Sequence, residues 1–147
     1  MANTIHIHRV IKAPISRVFR AFANPDALAA WLPPFGFTAK VHSMDFKEGG
    51  SYRMSFQNFT DEKNQSFGGS FPTIKPNELL VILDTFDDPN MPDEMKKTIT
   101  FKEVSCGTEL SIKHEGIPDM IPPEMCYLGW QESLIKLAQL VEPEIKG

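Results

Sequence analysis

The sequence predicts an α+β domain in which a curved antiparallel β-sheet is backed by one long C-terminal helix. Three observations carry that expectation. Between Phe37 and Glu115 apolar residues recur largely at every second position, and turn residues break the pattern at short intervals. Between Pro123 and Pro143 they recur at every third and fourth position instead. Two brief helical stretches separate the first strand from the rest. At 147 residues the chain has the length of one domain, taken here as residues 1–147.

Residues 4–12 open the fold as a strand, with Ile5, Ile7 and Ile11 in phase. Ala13-Pro14 ends it, because proline has no N–H to give to a ladder; Pro14 then starts a helix on which Ile15, Val18, Phe19 and Phe22 share a face. Asn24-Pro25-Asp26 interrupts that helix, residues 27–32 form a second one, and Pro33-Pro34 stops it. Residues 37–46 and 51–59 make a hairpin around Lys47-Glu48-Gly49-Gly50, where glycine supplies the positive dihedral of a tight corner. Residues 67–74 and 79–86 follow as strands joined at Pro76-Asn77, then 97–104 and 108–114 joined at Ser105-Cys106-Gly107. Short links favour antiparallel neighbours.

The last helix carries Tyr127, Trp130, Leu134, Leu137 and Val141 in one stripe, with Leu128, Ile135 and Ala138 beside it. It would run about 30 Å. Gly129 costs a helix interior about 1 kcal/mol relative to alanine, so close approach of its backbone to a strand or a ligand is expected. A twisted sheet curling around such a helix can leave a space where the two do not touch.

Composition narrows the function. Fifteen Lys and Arg against nineteen Asp and Glu give a formal charge of −4, which lacks the basic excess that phosphate contacts require and argues against nucleic acid. The longest apolar runs, 27–32 and 79–83, fall far short of the about 20 residues of a membrane span. The first residues alternate rather than form the apolar core of a signal peptide, so the cytoplasm is the expected compartment. Cys106 and Cys126 lack the spacing of a disulfide framework or zinc motif and read as free thiols.

A family resemblance rests on Ala13-Pro14, Val18-Phe19-Arg20-Ala21-Phe22, Asn24-Pro25, Trp31, Gly49-Gly50-Ser51-Tyr52-Arg53, Gly69, Pro76, Leu79-Leu80-Val81, Gly107-Thr108 and Gly129-Trp130. In that order and spacing, over nearly the whole chain, they resemble the activator-of-Hsp90-ATPase homologue family of the START/Bet v 1-like superfamily, which also holds polyketide cyclases and lipid-transport proteins. The resemblance implies a helix-grip fold with an internal cavity for an apolar ligand, and it places the last strand beside the first. It also implies two alternatives to ligand binding, a chaperone-interaction module and a cyclase- or dehydratase-like enzyme.

Eleven Phe and seven Met suit an adaptable apolar pocket, although most must simply fill the core. The expected ligand-binding residues are Trp31 and Phe35 at the entrance, Tyr52, Met54, Phe56, Phe71 and Phe86 on the sheet, and Tyr127, Trp130 and Leu134 on the helix. Enzymatic candidates are Tyr52, Arg53, Asp45, His114, Glu115 and Asp119, but no Ser-His-Asp order, paired-carboxylate motif or phosphate-binding glycine loop accompanies them. Alternation puts Tyr52 on the cavity face and Arg53 on the other. No catalytic residue and no cofactor is therefore assigned.

His6, His8 and His114 would bind zinc only if they converged with a fourth ligand, and they read as surface histidines. Asp84, Asp87, Asp88, Asn90, Asp93 and Glu94 lack the offsets of a calcium loop and read as a solvated connection. The expected partner is a small hydrophobic or aromatic molecule, in a stress-related or regulatory setting. The open edge of a meander also allows a homodimer.

Overall fold

The computed structural model describes residues 3–146. In chain order it contains β1 (Asn3–Ile11), α1 (Ile15–Ala23), α2 (Pro25–Trp31), β2 (Phe37–Met44), β3 (Ser51–Asn58), β4 (Asn64–Lys75), β5 (Leu79–Phe86), β6 (Met95–Val104), β7 (Gly107–Ile117) and α3 (Pro123–Val141). The seven strands form one sheet in the order β1-β7-β6-β5-β4-β3-β2, with every neighbouring pair antiparallel. Each strand from β2 to β6 pairs with the next. Only the β1–β7 pairing joins strands distant in sequence, and it leaves β1 and β2 as the edges.

Local chemistry fixes the element ends. The Asn24 side chain accepts from the Ala27 N–H at 3.0 Å and caps α2, whose first residue is Pro25. At the β2–β3 corner Gly49 has φ +79°, and a Cβ on Gly50 would sit 2.0 Å from the Asp45 carbonyl oxygen, so both positions need glycine. Three strands run longer than the alternation predicts, β6 by starting at Met95 and the other two by more. β4 starts at Asn64 because its polar residues still pair with β3, Gln65 opposite Phe56 and Asn64 opposite Gln57. β7 continues past His114 to Ile117, through Gly116 at φ +76°.

The core lies between the inner face of the sheet and the helices. Ile5, Ile7 and Ile11 of β1, Ile99 and Phe101 of β6, and Leu110 and Ile112 of β7 pack there with Val18 and Phe22 of α1 and with Leu134, Leu137 and Val141 of α3. Edge-to-face rings run through it from Trp31 to Phe22, Phe101, Phe19, Phe46 and Phe71, with centroids 4.8–5.9 Å apart.

Trp31 is the largest fully buried side chain, and its indole N–H donates to the Ala21 carbonyl at 2.9 Å. Expected at the entrance to a cavity, it instead locks α2 onto α1, because only the core can take up both its ring and its N–H. Trp31→Ala should therefore lower the unfolding free energy by about 3–5 kcal/mol in a denaturant titration. A midpoint equal to wild type would remove Trp31 from this role.

Candidate functional site

The apolar stripe of α3 holds in its later turns, where Trp130, Leu134, Leu137, Ala138 and Val141 are buried. In its first turns the inward positions are Cys126, Gly129, Trp130 and Ser133, while Tyr127 and Leu128 face solvent. Three of those four, Cys126, Gly129 and Ser133, carry too little side chain to fill the space between helix and sheet. A cavity of about 160 Å³ results, open to solvent on one side. Phe56, Phe67, Phe86, Met95, Lys97, His114 and Ile117 line it from the sheet, and Leu32, Pro34 and Ile121 from the connecting segments. An apolar cavity of about 150 Å³ holds a benzene ring, so this one has room for a compact ring system and none for a full lipid chain.

A smaller void of about 30 Å³ lies deeper, lined by Tyr52, Met54, Phe71, Ile82 and Ile99 among others. It shares Leu32, Lys97 and Trp130 with the outer cavity.

These positions sort the residues expected from the sequence. Phe56, Phe86 and Trp130 line the outer cavity; Tyr52, Met54, Phe71 and again Trp130 line the inner void. Leu134 is buried at 2% exposure in the core and, like Trp31, lines neither space. Phe35 is 52% exposed beside the cavity-lining Pro34, with its side chain outward. Tyr127 is 41% exposed, in a groove with His6 and His8. The methionine expectation narrows to Met95 in the outer cavity and Met54 in the inner one. Gly129 does not approach a strand: a Cβ there would meet nothing within 4 Å. Its missing side chain is part of the hollow itself.

The cavity floor is polar where its walls are aromatic. Lys97 Nζ lies 2.8 Å from Asp84 Oδ2, with the two side chains 12% and 0% exposed. The Tyr52 hydroxyl donates to the same carboxylate oxygen at 2.5 Å. Burial, reinforced by the Asp84 charge and hydrogen bond, raises the Tyr52 pKa well above its ordinary value, so the phenol stays protonated. The Lys97 ammonium also sits 5.8 Å from the Phe67 ring centroid and 5.9 Å from that of Trp130.

Directly across the ladder from Lys97 stands His114. The Trp130 indole N–H donates to His114 Nδ1 at 3.0 Å, and Cys126 Sγ lies 3.5 Å from the same nitrogen. Indole is a donor only, so Nδ1 accepts and the imidazole proton resides on Nε2. That Nε2 is buried without a hydrogen-bond partner among the described residues. Burial, with the nearby Lys97 charge, pushes the His114 pKa down to about 3. Burial also raises the Cys126 thiol, which is the reverse of what a nucleophile needs.

Three histidines do not converge. His114 is opposite the inward Ile5, whereas His6 and His8 occupy the outer face of β1. His114 is thus a core residue and not a surface one. Asp84 likewise leaves the solvated acidic segment to which its sequence neighbours assign it. Asp87 pairs with the exposed Arg53, and among the described residues no group of three His, Cys, Asp or Glu side chains is arranged to hold a metal ion. Asp45 and Asp119 are exposed and Glu115 is half-buried, and none of the three lines the cavity.

The segment after α2 is tied to α3 at three places. The Ser133 hydroxyl donates to the Leu32 carbonyl at 2.6 Å, Lys136 Nζ to the Pro33 carbonyl at 2.8 Å, and the Phe35 N–H to Glu132 Oε1 at 3.2 Å.

Three comparisons place this architecture. A protein from Chromobacterium violaceum of known crystal structure is 52% identical and superposes with a TM-score of 0.93, covering 97% of this chain and 99% of its own. A Nitrosomonas europaea protein superposes at 0.80 with 19% identity, over 93% of this chain and 92% of its own. One from Silicibacter pomeroyi, which bears the family's name, superposes at 0.80 with 19% identity, over 93% and 96%. No curated protein matches the chain. No helix among the described residues is long and apolar enough to cross a membrane. The family model described as Activator of Hsp90 ATPase homolog 1-like protein matches residues 12–142, and the chain belongs to that family, with its START/Bet v 1-like helix-grip fold.

Proposed function

We propose that the protein binds a compact hydrophobic or aromatic molecule in the cavity between its sheet and α3, without transforming it. The supporting observation is the hollow itself, about 160 Å³ walled by Phe56, Phe67, Phe86 and Trp130 and open on one side. Hydrophobic burial supplies the affinity, since each apolar Å² removed from water contributes about 25 cal/mol. The site's titratable groups favour holding over catalysis: the Tyr52 phenol and Cys126 thiol are held protonated and His114 neutral, each away from the pKa near 7 that suits proton transfer. The cavity supports this reading ahead of the chaperone-interaction one, which draws only on the family's description.

A thermal-shift panel of one- and two-ring compounds checks the reading. A ligand at about 100 times its dissociation constant should add about 2.7 kcal/mol of stability. No shift with any compound would sink it.

Gly129 provides an independent check. Gly129→Leu would put a side chain into the empty space and should weaken binding of any hit from the panel at least about tenfold. Gly129→Ala should stabilise the fold by up to about 1 kcal/mol. Unchanged affinity in the leucine variant would place the ligand elsewhere.

The neutral His114 makes a pH signature. An imidazole in the unfolded chain titrates near about 6.5, whereas in the fold it does so at about 3. Its contribution is therefore fully present above the unfolded value and is lost as pH falls from about 6.5 towards about 3. Denaturation midpoints between pH 7 and 4 should fall more steeply for wild type than for His114→Gln. Parallel slopes would mean that His114 titrates normally.

A further inference from the structure

The polar floor of the cavity selects a particular ligand chemistry, an inference that rests on the binding role just proposed. Lys97 carries three N–H donors, and its one hydrogen bond among the described residues goes to Asp84. The ammonium lies over Phe67 and Trp130, two walls of the cavity. His114, its cross-strand neighbour, is 5% exposed, lines the same cavity and carries a proton on Nε2 with nothing to receive it. Two adjacent groups thus offer donors, and an acceptor is what they lack. Leaving such donors unmatched in an apolar enclosure is costly, so a guest that accepts from them gains over one that does not.

Charge then discriminates among acceptors. The Lys97 charge is already balanced by Asp84 at 2.8 Å. A carboxylate guest would add a second buried negative charge to a pair that needs none, whereas an uncharged carbonyl oxygen accepts the spare N–H groups without that penalty. We propose that Lys97 and His114 make the cavity selective for a compact ring compound bearing one neutral acceptor oxygen, a cyclic or aryl ketone in chemical class, over both the parent hydrocarbon and the corresponding carboxylate.

Indane, 1-indanone and indane-1-carboxylate share one skeleton and isolate the head group. Isothermal titration of the wild-type protein should give 1-indanone an affinity at least about tenfold above that of indane, the range of a hydrogen bond to a charged donor. The carboxylate should bind more weakly than the ketone. Equal affinities for indane and 1-indanone would overturn the selectivity while leaving the cavity as a binding site. A carboxylate that binds more tightly than the ketone would overturn it too. If none of the three binds, the binding role itself fails and the selectivity with it.

Lys97→Met alone would strand a buried carboxylate, so the matching variant combines Lys97→Met with Asp84→Asn. There the advantage of 1-indanone over indane should shrink to within about twofold, and a persisting advantage would overturn the role of Lys97. A measurement on unmodified protein stands beside it: the carbonyl stretch of bound 1-indanone should move to lower frequency than in hexane. An unshifted band would show that no donor reaches the oxygen.

Discussion

A helix is about 10 Å across, and the strands it must cover here are 8–12 residues long, roughly 26–40 Å at about 3.3 Å per residue. One such helix covers only a strip of the sheet's inner face. α3 lies along the β1 side, and α1 and α2 cover part of the remainder, α1 over β6 and β7 and α2 near β2. Whether the uncovered part is filled depends on the side chains sent into it. From the middle of α3 onward, Leu134, Leu137 and Val141 fill it. At the start, Cys126, Gly129 and Ser133 do not. The hollow follows from this mismatch of area, sharpened by three small residues on one helical face.

The polar groups beneath the hollow oppose the economy of an apolar core. Burying an ion pair costs desolvation that its attraction only partly returns, and well-packed apolar residues often serve stability as well or better. Lys97, Asp84, Tyr52, His114 and Trp130 nevertheless form two hydrogen-bonded sets that meet across one rung of the β6–β7 ladder. They leave Asp84 Oδ1 and His114 Nε2 unmatched among the described residues. Buried polar groups are normally hydrogen-bonded, so each such atom calls for a physical explanation, a functional role among them. At His114 it borders the cavity; among the described residues the one other such atom is Arg9 Nε on β1, while the buried Thr108 and Trp31 each have a backbone partner.

Much of the fold was legible in the sequence because period and punctuation are local signals. Prolines at 14, 33, 34 and 143 and the glycine corner at 49–50 mark ends that the structure repeats within a few residues. The strand ends were less legible, since the polar start of β4 is decided by its partner β3 and not by its own residues. The site was legible only in part. Phe56, Phe86 and Trp130 follow from alternation and helical spacing, whereas Tyr127 shows that one stripe was extended a turn too far. Lys97, Asp84 and His114 carried a readable signal: each stands in phase with buried apolar residues, Ile99 and Phe101, Leu80, and Leu110 and Ile112 respectively. The acidic neighbours of Asp84 and the two histidines of β1 mask that phase.

The tethers that hold residues 32–35 to α3 differ in kind from the walls they adjoin. Backbone carbonyls and an amide, gripped by Ser133, Lys136 and Glu132, set the border of the opening, while aromatic rings and the Lys97–Asp84 pair set its depths. Side-chain-to-backbone links near solvent can release and reform one at a time, but stacked rings move together or not at all. On the binding role proposed above, passage through the doorway and grip at the bottom would be governed by separate sets of atoms. A lineage of such proteins could retune how quickly a guest comes and goes while leaving unchanged what it admits.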